Sequence, residues 1–541
     1  MAKNKQQVKV QKAPVIKRTE GNIFSQITGH KYFDIILPGL FFAIMAIFAF
    51  IYHKVGDYGV ETDFFWGYVP EAKDLLHGVL DINPVKGPVY QVVLAVTGLL
   101  FGKNFFNAGI FINLVCAAFT IFVVLKTLRK CTDNVIAACV TLFMIFNPWF
   151  LKFSYSAGTD LLFMVFYFAS IYFLFRRDAL DIKNAIFAGI CCGIAYLTRY
   201  TGIALIISAS LVILLIYRVK DKNFKNALKP LAAFLGPVML FVVAWGITCL
   251  ALRGQFFYND NYLNTANTVY KTENMTNDEW TYQMQPTFHS IKDVIFRDFG
   301  LFIRKIFFDN FTGHFTKDLS TLFPLFIGIP VAIGLFFFLI RFKKNTLKEN
   351  LLFLTTLIFY FFILLVFYSE RFSLPMLPLY GLVFVKLFRN ELFESFNFKL
   401  GGAKVLTLIM AGLMIWYGYT SIKFIREDVD AGPKEILVIS EAFKKNQKED
   451  TENLITMSRK PHIAYYMGTK FTAVPLVKDT VDLVTKIKEA NADFLYMGQL
   501  EVGLMGNKFG FMITSPEKAP KELEPLFVIK NPPSVLYKVK K

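Results

Sequence analysis

Eleven times along this chain the apolar residues run on for the length of a membrane crossing, at approximately 35–53, 106–128, 134–152, 160–176, 184–200, 202–217, 230–251, 319–341, 350–368, 373–388 and 403–422. A helix needs roughly 20 apolar residues to cross the hydrocarbon of a bilayer. Inside lipid only a helix or a closed barrel satisfies its own backbone N–H and C=O groups. The charge content agrees, since only 18% of the residues are charged against about 25% in a soluble domain. Mean hydropathy is +0.44. The expectation is a polytopic α-helical membrane protein with about 11 transmembrane helices. Another apolar stretch, Val89–Gly102, is shorter and reads as an interfacial or re-entrant helix.

Basic residues give these spans a direction, because cytoplasmic connections are enriched in Lys and Arg. Residues 1–33 form a basic tail with Lys3, Lys5, Lys9, Lys12, Lys17, Arg18 and Lys31 against the single carboxylate Glu20. With that tail in the cytoplasm, the inner connections hold Lys126, Arg129 and Lys130, then Arg176, Arg177 and Lys183, then Arg218 through Lys229. Arg341 to Lys348 and Lys386 to Lys404 follow. The net charge of +18 is thereby an orientation signal toward anionic lipid, and nucleic acid is not an expected partner. No cleavable signal peptide is expected, since the apolar run starts late and no small-residue cleavage site follows. The expected location is the cell (inner) membrane, multi-pass, with a cytoplasmic N-terminus.

Two polar loops, 54–105 and 253–318, then fall outside, within a membrane unit spanning 34–422, and residues 423–541 form an extracytoplasmic α/β domain. In that domain Asn453–Met457, Phe494–Met497 and Leu526–Ile529 read as strands, and Lys434–Lys445 and Val481–Ala490 as helices. A terminal hairpin is expected to turn at Asn531-Pro532-Pro533. In the second loop, Ile291–Phe308 alternates apolar and charged residues at helical spacing and reads as an interfacial amphipathic helix. The six cysteines lie in or beside apolar runs, with neither a disulfide framework nor metal-ligand spacing.

Chemistry concentrates at one membrane level. The first loop, Gly56 to Tyr90, carries Asp57, Glu61, Asp63, Glu71, Asp74 and Asp81, with a Lys86-Gly87-Pro88 turn. Asp160 opens the fourth span, Arg199 closes the fifth, and Glu370-Arg371 precedes the tenth; all four face the side of Asp63 and Lys86. Each has a plain alternative. Asp63 or Asp160 would serve as a helix N-cap, Arg199 and Arg371 would snorkel to headgroups, and Lys86 would be a surface lysine. Together, two carboxylates and three cations suit a phosphate-and-sugar site, where cations neutralise a phosphate and a carboxylate takes a hydroxyl proton.

Glu61-Thr62-Asp63, Lys86-Gly87-Pro88-Val89-Tyr90, Gly158-Thr159-Asp160, Gly189 to Gly202 with its Thr198-Arg199, and Glu370-Arg371-Phe372 through Leu377-Pro378 occur in that order. The set resembles the GT-C membrane glycosyltransferases, in the branch of protein O-mannosyltransferases and aminoarabinose transferases. The resemblance implies a GT-C-like fold and a hexosyl- or pentosyl-type glycosyltransferase. Its donor would be a polyprenyl-phosphate-linked sugar, and its acceptor a hydroxyl of a lipid, glycan or protein at the outer membrane face. Asp63 would be the general base of a single inverting displacement and Asp160 a second catalytic carboxylate. Lys86, Arg199 and Arg371 would bind the donor phosphate, with Glu61, Tyr90 and Glu370 in support. Members differ in their need for a divalent cation, and no metal ligands are assigned. The rival classes are a lipid or polysaccharide transporter, which places charges deep in its spans, and a non-catalytic scaffold for envelope assembly.

Overall fold

The computed structural model describes residues 23–178, 180–221, 225–275, 279–389, 399–400, 403–447 and 451–540. The basic tail up to residue 22 lies outside the described residues. A helix forms at every one of the eleven apolar runs. Among the described residues, six helices are long and apolar enough to cross a membrane, with a seventh if one bent pair counts as a single span. Several others, such as Asp160–Phe175 and Ile182–Thr198, are shorter apolar helices, so length and composition alone do not reach eleven crossings.

The bent pair departs from the straight span expected over 134–152. Asn134–Ile145 and Pro148–Tyr155 meet at 65°. Pro148 cannot continue the incoming helix because it lacks an N–H and its ring clashes with the preceding turn. It can start a new helix, with Asn147 as the cap accepting from the Phe150 N–H at 2.9 Å. The Asn147 amide donates to the Leu322 carbonyl at 3.0 Å and to the Tyr417 hydroxyl at 2.9 Å, which fixes the corner. Beyond it Lys152, buried, lies 2.5 Å from Asp428 and 3.4 Å from Asp57. The Val89 run forms the helix Val89–Leu100. The amphipathic stretch after Ser290 is broken, giving Ile291–Phe296 and Phe299–Arg304, because Asp298 caps a new start at the Leu301 N–H. Phe296, Phe299 and Phe308 project from these turns, exposed.

The last long apolar helix runs from Val405 to Asp430 without a break and leads into the C-terminal unit. There a five-stranded sheet has the order Lys470–Ala473, Ile455–Ser458, Phe494–Met497, Pro533–Val539, Leu523–Lys530. The first three strands are parallel and the terminal hairpin is antiparallel. Phe494–Met497 is buried throughout, as a central strand covered on both faces should be. Helices Lys434–Asn446 and Thr480–Glu489 match the sequence expectation closely; the edge strand Lys470–Ala473 was not foreseen.

The turn after Ile455–Ser458 seats the C-terminal unit on the first loop, 54–105. His462, fully buried, bonds through Nε2 to the Asp57 carbonyl at 3.1 Å. The Tyr466 hydroxyl accepts from the Gly56 N–H at 3.2 Å, and the Tyr465 hydroxyl accepts from the Phe106 N–H at 3.0 Å. Burial holds the His462 imidazole at a pKa of about 3, down from 6.5. A base whose folded pKa is depressed costs stability as pH falls below its unfolded value, because the unfolded chain takes up the proton first. Between pH 6.5 and 5 this amounts to about 2 kcal/mol, at roughly 1.4 kcal/mol per pH unit. Thermal unfolding in detergent is expected to show that loss in the wild type, and His462→Gln is expected to flatten it.

Candidate active site

Glu61 organises the site without lining it. Its side chain is wholly buried, and a buried carboxylate is retained only when its lone pairs are met. The Asp57 N–H donates to it at 2.7 Å and the Ala157 N–H at 2.6 Å. His53 Nε2, just past the first long helix, lies 3.1 Å and 3.2 Å from its two oxygens. One side chain therefore ties the end of Phe33–Tyr52, the first loop and the approach to Gly158-Thr159-Asp160.

That tie brings Asp63 to Asp160. Immediately after Asp63 the chain makes a π-helical turn, Phe64–Tyr68, a local underwinding that recurs at functional sites. Asp63 does not cap this helix; it is half exposed and its Oδ2 lies 3.5 Å from Arg371 Nη1. Asp160, in the first turn of its helix and buried, accepts from the Arg199 guanidinium. Both guanidinium groups lie against the Phe372 ring, at 5.2 Å for Arg199 and 4.9 Å for Arg371. The arginines are thus held in two carboxylate pairs around one aromatic ring rather than snorkelling.

Lys86 reaches the same place from the far end of the loop that bears Asp63. Its ammonium sits 4.0 Å from the centre of the Tyr68 ring. Burial lowers its pKa, partly offset by the charges of Glu71 and Asp63. Glu71 stands buried nearby, with Asn83 donating to it at 3.0 Å. Space for the lysine exists because residue 67 is glycine, where a β-carbon would strike the ammonium. Gly87 is required for the same kind of reason: a β-carbon there would collide with the Leu197 carbonyl, so only glycine lets this turn press against the helix end that carries Arg199.

A cavity of about 390 Å³ opens among these groups, lined by Asp63, Lys86, Asp160, Arg199 and Arg371. All five of the proposed catalytic and phosphate-binding residues share it. The supporting residues do not. Glu61 is behind the wall, and Tyr90, wholly buried, packs edge-on to Tyr68 at 4.8 Å. Glu370 opens the short helix Glu370–Ser373 that carries Arg371. Thr159 and Tyr200, which lie in the quoted motifs without an assigned role, also line the cavity, as do Tyr68, Asn261 and Asn264, which went unrecognised in the sequence. Asn261 and Asn264 come from the second polar loop, 253–318, where only their long-range packing marks them. Among the described residues no cluster of three or more His, Cys, Asp or Glu could hold a metal ion. A larger groove of about 840 Å³, mostly apolar with Arg426 and Asp430 on its rim, lies elsewhere, between Phe33–Tyr52 and Val405–Asp430.

The architecture is that of a multi-helix membrane protein with a charged cavity beneath a small sheet unit. The family model of dolichyl-phosphate-mannose-protein mannosyltransferases matches residues 85–245, a range that includes Lys86, Asp160 and Arg199. No curated protein matches the sequence. Among solved structures, ArnT from Cupriavidus metallidurans bound to undecaprenyl phosphate is similar over 94% of this chain and 98% of its own, at 10% identity and a TM-score of 0.56. The Archaeoglobus fulgidus oligosaccharyltransferase in complex with zinc and sulfate is similar over 94% and 73%, at 12% identity and 0.54. The same archaeal enzyme, AglB, with an inhibitory peptide and a dolichol-phosphate, matches over 87% and 70%, at 11% and 0.50. The fold is thus one shared with these membrane glycosyltransferases, and residues 85–245 match the mannosyltransferase family model.

Removing the Glu61 carboxylate leaves two N–H donors buried without an acceptor. Glu61→Ala is expected to cost about 3 kcal/mol or more, and Glu61→Gln, which keeps one oxygen, about half as much. Denaturant or thermal unfolding of the purified variants measures both.

Proposed function

We propose that the protein transfers a sugar from a polyprenyl-phosphate-linked donor to a hydroxyl of a lipid, glycan or protein acceptor at the outer face of the cell membrane. The observation that carries this reading is the meeting of Asp63, Lys86, Asp160, Arg199 and Arg371 around one cavity. Three cations against two carboxylates leave an excess of one positive charge, which suits the single negative charge of a phosphodiester donor. Undecaprenyl phosphate in the ArnT structure and dolichol-phosphate in the AglB structure are ligands of the kind this site would take.

In this reading the Asp63 carboxylate accepts the acceptor hydroxyl proton as the oxygen attacks the anomeric carbon. The bond from that carbon to the phosphate oxygen breaks, the configuration inverts, and polyprenyl phosphate leaves with a second negative charge. Lys86 and Arg371 stabilise the charge as it develops, which is where fixed cations lower a barrier most. Asp160 holds Arg199 in place against Phe372, so the second guanidinium is oriented before the donor arrives. The cytoplasmic tail, the outer position of both loops and the extracytoplasmic C-terminal unit belong to the same reading, and the basic connections support them.

Loss of a general base costs about 10²- to 10⁴-fold. Transfer from a radiolabelled polyprenyl-phosphate sugar is therefore expected to fall by at least about 100-fold in Asp63→Asn, with donor binding retained. Equal rates for the variant and the wild type would remove Asp63 from the mechanism.

A further inference from the structure

The five charged residues of the cavity account for a phosphate and a proton; none of them is suited to tell one sugar from another. A hexose presents hydroxyls that both donate and accept. The side chain that matches such a pattern without adding charge is an amide, with two N–H donors and one acceptor oxygen. The second outer loop contributes two residues to the cavity wall, and both are asparagines: Asn261 and Asn264.

Their local geometry is not that of ordinary turn asparagines. Asn261 precedes the helix Tyr262–Tyr270, where an asparagine normally caps the first turn, yet its side chain makes no cap. Its Nδ2 donates instead to Asn259 Oδ1 at 2.8 Å and to the Val85 carbonyl at 3.4 Å. Asn264 Nδ2 points back to Asn261 Oδ1 at 3.4 Å, a long and weak contact. The Asp260 N–H donates to the Pro84 carbonyl at 2.9 Å. The pair is thus fixed to the very turn that delivers Lys86, one residue after Val85.

We propose that Asn261 and Asn264 form the sugar-recognition surface of the donor site and that Asn264 is a specificity-determining residue. This rests on the function proposed above. With the phosphate at Lys86 and the acceptor base at Asp63, the sugar occupies the space between, beside the asparagine pair. Asn261 is largely committed to the Lys86 turn and positions its neighbour. Asn264, whose side chain makes one long hydrogen bond among the described residues, exchanges it for sugar hydroxyls. A site built to bond a substrate hydroxyl rejects an analogue that lacks or inverts it far better than an apolar wall does.

The test compares undecaprenyl phosphate with a panel of its glycosyl esters carrying mannose, glucose, galactose or 4-amino-4-deoxyarabinose, by binding to the full-length protein in detergent. The wild type is expected to bind at least one ester about tenfold or more tighter than the bare phosphate, a gain of about 1.4 kcal/mol. Asn264→Ala is expected to abolish that gain while keeping the affinity for undecaprenyl phosphate, which also shows that the variant is folded. Asn264→Asp, with the acceptor kept and both donors lost, is expected to retain part of it. An unchanged gain in Asn264→Ala, no gain for any ester in the wild type, or a parallel loss of bare-phosphate binding would overturn the assignment. Failure of the wild type to bind undecaprenyl phosphate in any form would overturn the donor reading itself, and this inference with it.

Discussion

A single buried carboxylate sets the geometry on which the rest depends. Glu61 has no access to solvent and accepts from the backbone at Asp57 and Ala157, with His53 against its oxygens. Those partners lie on three separate stretches of chain: the end of a long apolar helix, the first loop, and the turn before Asp160. An ionised group taken out of water loses several kcal/mol of hydration, so these stretches cannot drift apart without leaving the charge unmet. Asp63 follows Glu61 by two residues and Asp160 follows Ala157 by three, which places both cavity carboxylates at fixed offsets from one anchor.

Around that anchor the cavity is assembled by pairing and stacking rather than by regular secondary structure. Phe372 separates the two arginines, Tyr68 carries the lysine, and Tyr90 backs Tyr68. Rings keep like charges close without letting them touch, and they shield the groups from water, where a cation's attraction for a phosphate weakens. The C-terminal unit adds a second clamp: His462 and Tyr466 hold the first loop at Asp57 and Gly56, and Tyr465 holds the helix start at Phe106. The sheet unit thereby helps fix the loop that bears Asp63.

Much of this was legible in the sequence, for physical reasons that differ from part to part. Apolar length marks each membrane helix because lipid leaves the backbone no other partner. The strand Phe494–Met497 stood out because a strand buried on both faces is continuously apolar. Asp160, Arg199 and Arg371 were legible as charges stranded at the ends of apolar runs, a costly placement that invites explanation, and Asp63 and Lys86 as charges of the loop at the same level. Glu61 was given only a supporting part, and its anchoring of three stretches of chain stayed hidden because its backbone partner Ala157 lies far along the sequence. The corner at Pro148 was readable from its Asn-Pro pair but was hidden by the apolar residues on both sides. Asn261, Asn264 and the edge strand Lys470–Ala473 take their meaning from neighbours distant in sequence, and no period or propensity reveals such contacts.

The account stands or falls on where a lipid phosphate sits. A structure of the protein with undecaprenyl phosphate, at a resolution that shows the phosphate, tests this most directly. The account requires the phosphate between Lys86 and the Arg199–Arg371 pair, within hydrogen-bond distance of at least two of them, with the prenyl chain leading out toward the lipid. A phosphate seated instead in the apolar groove beside Arg426, with the Asp63 cavity empty, would contradict it.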